Sequence, residues 1–181
     1  MNKRLYYSVF DVVNWITHNR KIKQDTGWGR LVITMHDLLK SAGYELVNSP
    51  HEADLEFYVG QPPFCLRPQM HPSITLSMFE TDRLPKIWTE SFNRWDVIIN
   101  PSNWGRDCFR QSGVTKPIYV LPLPIDFDKF RYCEHAAGSW TFIAQAVQLL
   151  DRKRADLVVE IFKSGKMPSD ARLIVKTTPA R

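Results

Sequence analysis

"SITLSMFETDRLPKIWTESFNRWDVIINPSNWGRDCFRQSGVTKPIYVL", residues 73–121, is the most sharply punctuated stretch of the chain. "SITLSMF" is a short apolar run with the composition of a strand. Pro85 opens "PKIWTESFNRW" as a helix at its first position, and "DVIIN" reads as a second strand. Ser102 is placed to cap "NWGRDCFRQS", Gly113 to end it, and "PIYVL" is a third strand. Strands joined by single helices at this pace predict right-handed crossovers and a parallel sheet covered on both faces, a Rossmann-like α/β fold.

The same rhythm extends upstream. A first strand is expected within residues 4–13, and "DTGWGR", residues 25–30, then leads into "RLVITMHDLLKSAG". There Leu31, Met35, Leu38 and Leu39 fall on one helical face, and Gly43 occupies the stop position. "YELV" and "ADLEFYVG" read as strands, and the four prolines of "QPPFCLRPQMHP" exclude regular structure. Downstream, "LPLPIDFDKF" and "EHAAGS" have the composition of a hinge. The strand "WTFIAQAV", helix "RADLVVEIFKS" and strand "ARLIVK" follow. Two units are expected: an α/β domain over residues 1–130, and an incomplete second α/β unit over 131–181.

Composition is that of a globular protein able to bury a core, with 44% apolar and 24% charged residues in 181. No apolar run approaches the roughly 18 residues of a membrane span, and the N-terminal stretch is interrupted by Asp11 and Asn14, unlike a signal peptide. These features point to a cytoplasmic protein. Net charge is +5, and residues 131–181 carry most of it, with 9 Lys/Arg against 5 Asp/Glu. That end would attract an anionic partner, peripheral lipid phosphate included, or is a solvated basic face. Cys65, Cys108 and Cys133 are widely spaced and read as reduced, structural thiols. His18, His36, His51, His71 and His135 form no metal-binding spacing. Aromatic residues do not interleave the basic cluster, which argues against single-strand nucleic-acid binding, and the absence of GxxxxGK[ST] argues against NTP hydrolysis.

Taken in order, the "E-T-x-x-L-P" segment at Glu80, "W-D-x-I-x-x-P-S-x-W" from Trp95, "F-x-x-S-G-V" from Phe109, "P-I-x-V-L-P" from Pro117 and "D-x-x-x-F" from Asp126 resemble the N-terminal domain of group 1 glycosyltransferases. These are retaining, nucleotide-sugar-dependent enzymes of the GT-B fold. "GWGR" resembles the family's glycine loop, and "DRKRADLVVEIF" its "R-K-G" donor-phosphate segment, with Arg154 where the family usually has glycine. The resemblance spans roughly residues 25–176 and about half of the family's fold. It implies a nucleotide-sugar donor, an acceptor bound by the N-terminal domain, and no metal or other cofactor.

Each candidate residue has a functional and a structural reading. Gly27 and Gly29 would let backbone N–H groups approach a donor phosphate at a helix N-terminus, or would only make a tight turn. Arg152 and Lys153 would bind the diphosphate of the donor, or form a solvated basic helix end. Glu80 is the candidate catalytic carboxylate, placed to act as an acid/base group or to hydrogen-bond a sugar hydroxyl. Trp28, Asp82 and Ser102 are acceptor-side candidates. Trp28 is a stacking wall or core packing, and the readier role for Asp82 and Ser102 is helix capping. Two function classes follow: a glycosyltransferase or a piece of one, or a non-catalytic module of the same fold that binds a partner. With so small a second unit and an exposed strand edge, the chain alone is expected to self-associate or to need a complementary C-terminal chain before it turns over.

Overall fold

A computed structural model of the chain describes residues 3–9, 27–61, 67–134, 138, 140–145 and 154–176. Two compact units divide the chain, Met1–Asp126 and Phe127–Arg181.

The first unit is a parallel α/β fold of Rossmann-like type. Its strands are β1 (Arg4–Val9), β2 (Glu45–Val47), β3 (Leu55–Val59), β4 (Ser73–Leu76), β5 (Val97–Asn100) and β6 (Ile118–Val120). All pair in parallel in the order β2-β1-β3-β4-β5-β6. Helix α1 (Gly27–Ser41) links β1 to β2, α2 (Lys86–Phe92) links β4 to β5, and α3 (Asn103–Gln111) links β5 to β6.

Strand periodicity divides the side chains between two unlike faces. On one, Leu5, Tyr7, Phe57, Val59 and Leu76 form a core with Leu31, Val32 and Met35 of α1. Leu39 packs against that core, but Leu38 is exposed, because the buried stripe runs through Val32 instead. On the other face, Ile98 and Ile118 pack with Phe92 of α2 and with Cys108 and Phe109 of α3. Among the described residues, that second core packs over the β5–β6 half. Over β1, β3 and β4 the same face presents Ser8, Glu56, Tyr58, Ser73, Thr75 and Ser77, all buried.

A loop and two carboxylates close this polar half. Glu56, fully buried in β3, accepts hydrogen bonds from the Ser8 hydroxyl (2.9 Å) and from the backbone N–H groups of Gln69 (2.6 Å) and Met70 (3.2 Å). It ties the β3–β4 connection, which has no helix among its described residues, across the face. Trp95 stacks on Tyr58 beside it, with ring centroids 5.4 Å apart. Asp96, at the head of β5, accepts from His71 Nδ1 (2.7 Å) and from the Ser73 backbone (2.9 Å) and hydroxyl (3.0 Å). Partial burial opposes the Asp96 charge, but these bonds outweigh it and hold the carboxyl below its usual range.

Element ends follow local chemistry. Gly43 and Gly113 adopt φ of +86° and +96°, the left-handed stops expected after α1 and α3. Ser102 caps α3 by accepting from Gly105 N at 3.0 Å. Pro85 is the N-cap residue of α2 and not its first helical position, and no side chain caps that helix, so Asp82 does not have the capping role expected of it. Cys108 is buried, as a structural thiol should be, whereas Cys133 is exposed.

In the second unit, β7 (Thr141–Gln145) pairs in parallel with β8 (Arg172–Lys176), and α4 (Ala155–Lys163) covers one face. Ala144 is buried there, and Phe142 meets Phe162 edge-on at 6.1 Å.

Glu56→Ala would leave two amides and a hydroxyl without their acceptor. At about 1–3 kcal/mol for each orphaned group, urea unfolding should show a loss of about 3 kcal/mol or more, with Glu56→Gln losing less. Asp96, with its folded pKa lowered, contributes stability above its unfolded value of about 3.9 and loses that contribution as pH falls through the folded value. Stability measured from pH 6 down to pH 2 should therefore decline less steeply in Asp96→Asn than in the wild type.

Candidate functional site

In an open parallel sheet, ligands bind beyond the carboxyl ends of the strands, at the point where the strand order reverses. Here that point lies between β1 and β3, since the chain moves outward from β1 to β2 and then returns to β1's other side. The elements that meet there are the first turn of α1, the end of β3 at Gly60 and Gln61, and the end of β1.

Gly27 and Gly29 are the first and third residues of α1. Neither has a positive φ, so the pair does not form the left-handed turn that two glycines suggest. They are helical, and what glycine supplies is bareness. Gly27 is exposed, and a Cβ there would meet nothing within 4 Å. Gly29 is buried. The first turn of α1 has no acidic side chain. Trp28 is half-buried and packs on the α1 core, which leaves packing as its main contact.

Inside the core, Tyr7 of β1 donates its hydroxyl to the Val32 carbonyl at 2.7 Å. Burial, reinforced by Asp37, raises its pKa well above the ordinary tyrosine value. It is a structural phenol, fixed in its protonated form, that locks β1 to α1.

The carboxyl ends of β4 and β5 form the adjoining rim. Glu80 lies exposed on the bend after β4, and Asp82 is exposed two residues on. Between them, the Thr81 carbonyl accepts from Cys108 Sγ at 3.1 Å. Burial raises the Cys108 thiol, and Asp82 adds to that against the Ser112 hydroxyl, so this cysteine is held as a thiol. Beside them, buried Asn100 donates to the Ser77 carbonyl at 3.2 Å and accepts from Ser102 N at 3.1 Å, joining β4 to the start of α3. Ser77 Oγ is the buried side-chain oxygen that, among the described residues, has no hydrogen-bond partner. A side chain at Gly105 would run into the Asn100 amide.

In the structure Gly27, Trp28, Gly29, Glu80, Asp82 and Ser102 all lie in segments that follow strands of one parallel sheet, and Ser102's side chain is engaged as a cap. Arg152 and Lys153 lie outside the described residues. Arg154, next in the chain, is the N-cap residue of α4, with a left-handed φ of +47° and its guanidinium paired to Asp156 at 2.8–3.2 Å. That pairing raises the Arg154 pKa and lowers that of Asp156. Sequence reasoning missed Gly60, whose position directly after a strand was a readable signal. It also missed Asn100, whose role depends on a contact with Gly105 that spacing does not reveal.

Among the described residues, no group of three or more His, Cys, Asp or Glu could hold a metal ion, and no helix is long and apolar enough to cross a membrane. No family model matches the chain, and no curated protein matches it.

Gly105→Ala should displace Asn100 from the β4–β5 rim. An overpacked site of this kind costs about 1–3 kcal/mol, read as a lower urea midpoint at unchanged m-value.

Proposed function

We propose that the chain is a glycosyltransferase, or a piece of one, that transfers a sugar from a nucleotide-sugar donor to an acceptor bound by the first unit. The observation that carries this reading is the strand order. A parallel sheet of order β2-β1-β3-β4-β5-β6 has its reversal at the helix that Gly27 and Gly29 open, on the same rim as Glu80. The ordered motifs from Glu80 to Phe130 support it from the sequence side.

In this reading the first turn of α1 offers backbone donors to an anionic or hydroxyl-rich ligand. Glu80 supplies a carboxylate to a sugar or acceptor hydroxyl, and Trp28 and Asp82 border the acceptor. Arg152 and Lys153 neutralise the charge that develops on the departing nucleoside diphosphate, the step at which a fixed cation lowers the barrier most. No cofactor is invoked. A non-catalytic assembly module of the same fold is the second reading, favoured by the exposed apolar side chains of the second unit, among them Ile143 and Ile174.

Calorimetric titration with nucleoside diphosphates separates the two. Binding by the wild-type chain, weakened about ten- to a hundred-fold by Lys153→Ala, is the expected result, since a charge-assisted phosphate contact contributes about 1.5–3 kcal/mol. Absence of binding, or equal affinity in the variant, would return the basic segment to a solvated face and leave the assembly module.

A further inference from the structure

The β7–β8 sheet has one face under α4 and one face open. Alternation along the paired strands puts Phe142, Ala144, Leu173 and Val175 on the α4 side. The open side carries Thr141, Ile143 and Gln145 of β7 beside Arg172, Ile174 and Lys176 of β8. Ile143 and Ile174 are direct partners in the ladder and are 71% and 52% exposed, so they form one apolar patch at the centre of that face. Parallel sheets are found almost only with both faces covered, because each strand carries apolar side chains to both sides.

We propose that this face is the docking surface for an amphipathic helix of a partner chain whose apolar stripe is flanked by acidic side chains. The occupant is chosen by charge. Arg172 and Lys176 stand at the two ends of β8 with Ile174 between them, and among the six residues of the open face no carboxylate offsets them. A second copy of this chain would bring cation against cation, the arrangement by which exposed strands avoid self-pairing. An acidic helix brings its carboxylates to Arg172 and Lys176 while its apolar stripe covers Ile143 and Ile174. Strands of five residues are about 16 Å long, which roughly three turns of helix would span. The inference is independent of the glycosyltransferase reading, and its test involves no nucleotide or sugar.

Two fluorescein-labelled helical peptides of about 14 residues would be titrated into the full-length chain by anisotropy at low salt. Both carry the same leucine stripe, flanked in one by glutamates and in the other by lysines. The acidic peptide should bind about tenfold more tightly than the basic one. Arg172→Glu with Lys176→Glu should reverse that preference, and Ile174→Glu should abolish binding of the acidic peptide. All three positions are exposed, so the variants should keep the wild-type circular dichroism spectrum and melting curve, and the charge reversal tests the proposal even if Ile174→Glu unfolds the unit. Equal binding of both peptides, binding of neither, or indifference to the charge reversal would overturn it. So would a concentration-dependent dimer that Ile174→Glu disperses, which would give the face to a second copy.

Discussion

A single buried carboxylate decides how the first unit closes. Glu56 is in the middle of a six-stranded sheet, where an uncompensated charge would cost several kcal/mol, and it is retained because three donors converge on it. One comes from β1 and two from the far end of the β3–β4 connection. The carboxylate therefore fixes the return path of the chain from β3 to β4. The consequence is a sheet of two characters. Its β5–β6 half is covered by aromatic packing from α2 and α3, and its β1–β3–β4 half presents a buried polar strip.

Stability and ligand chemistry are then separated along the strand direction. Glu56 near the start of β3 and Asp96 at the start of β5 both tie down the amino ends of strands. The carboxyl ends carry Gly27, Gly60, Glu80, Ser77 and Asn100, a set of bare backbone, one exposed acid and short amide or hydroxyl groups. Interactions at the amino ends can be strong and permanent because nothing has to enter there. On the carboxyl rim Gly27 and Glu80 are exposed, whereas Gly60, Ser77 and Asn100 are buried.

Most of the fold was legible because its boundaries are written in residues with one physical meaning: Gly43 and Gly113 at left-handed stops, Ser102 at a cap, and alternating apolar residues in short strands. What misled were residues whose meaning depends on context. Gly27 and Gly29 look like a turn, but the helix begins through them. Asp82 reads as a cap for α2, yet the chain reaches that helix through Pro85, and no side chain caps it. Leu38 fits a helical stripe that Val32 fills instead. Nothing in the spacing marks Glu56, since an exposed acid and one met by distant amides look alike in a strand sequence. Arg154 was noted only as a departure from glycine. Its left-handed backbone gives that departure a physical sense, because φ near +50° is where glycine carries no Cβ penalty.

The second unit shows the same dependence on context from the other side. "TFIAQ" and "RLIVK" carry apolar residues at consecutive positions, a pattern that periodicity assigns to strands buried on both faces. Helix α4 satisfies one face, through Ala144, Phe142 and Phe162. The other retains Ile143 and Ile174 in an environment its sequence does not match, since a strand with a solvated face reads as alternating apolar and polar. Local pattern and local burial disagree most at these two positions, 71% and 52% exposed against 39% for Phe142 on the α4 side, while the polar residues around them agree with exposure. An apolar pair at the centre of the open face, with cations at the ends of β8, has the form of a recognition surface: apolar where contact excludes water, charged where the rim meets it.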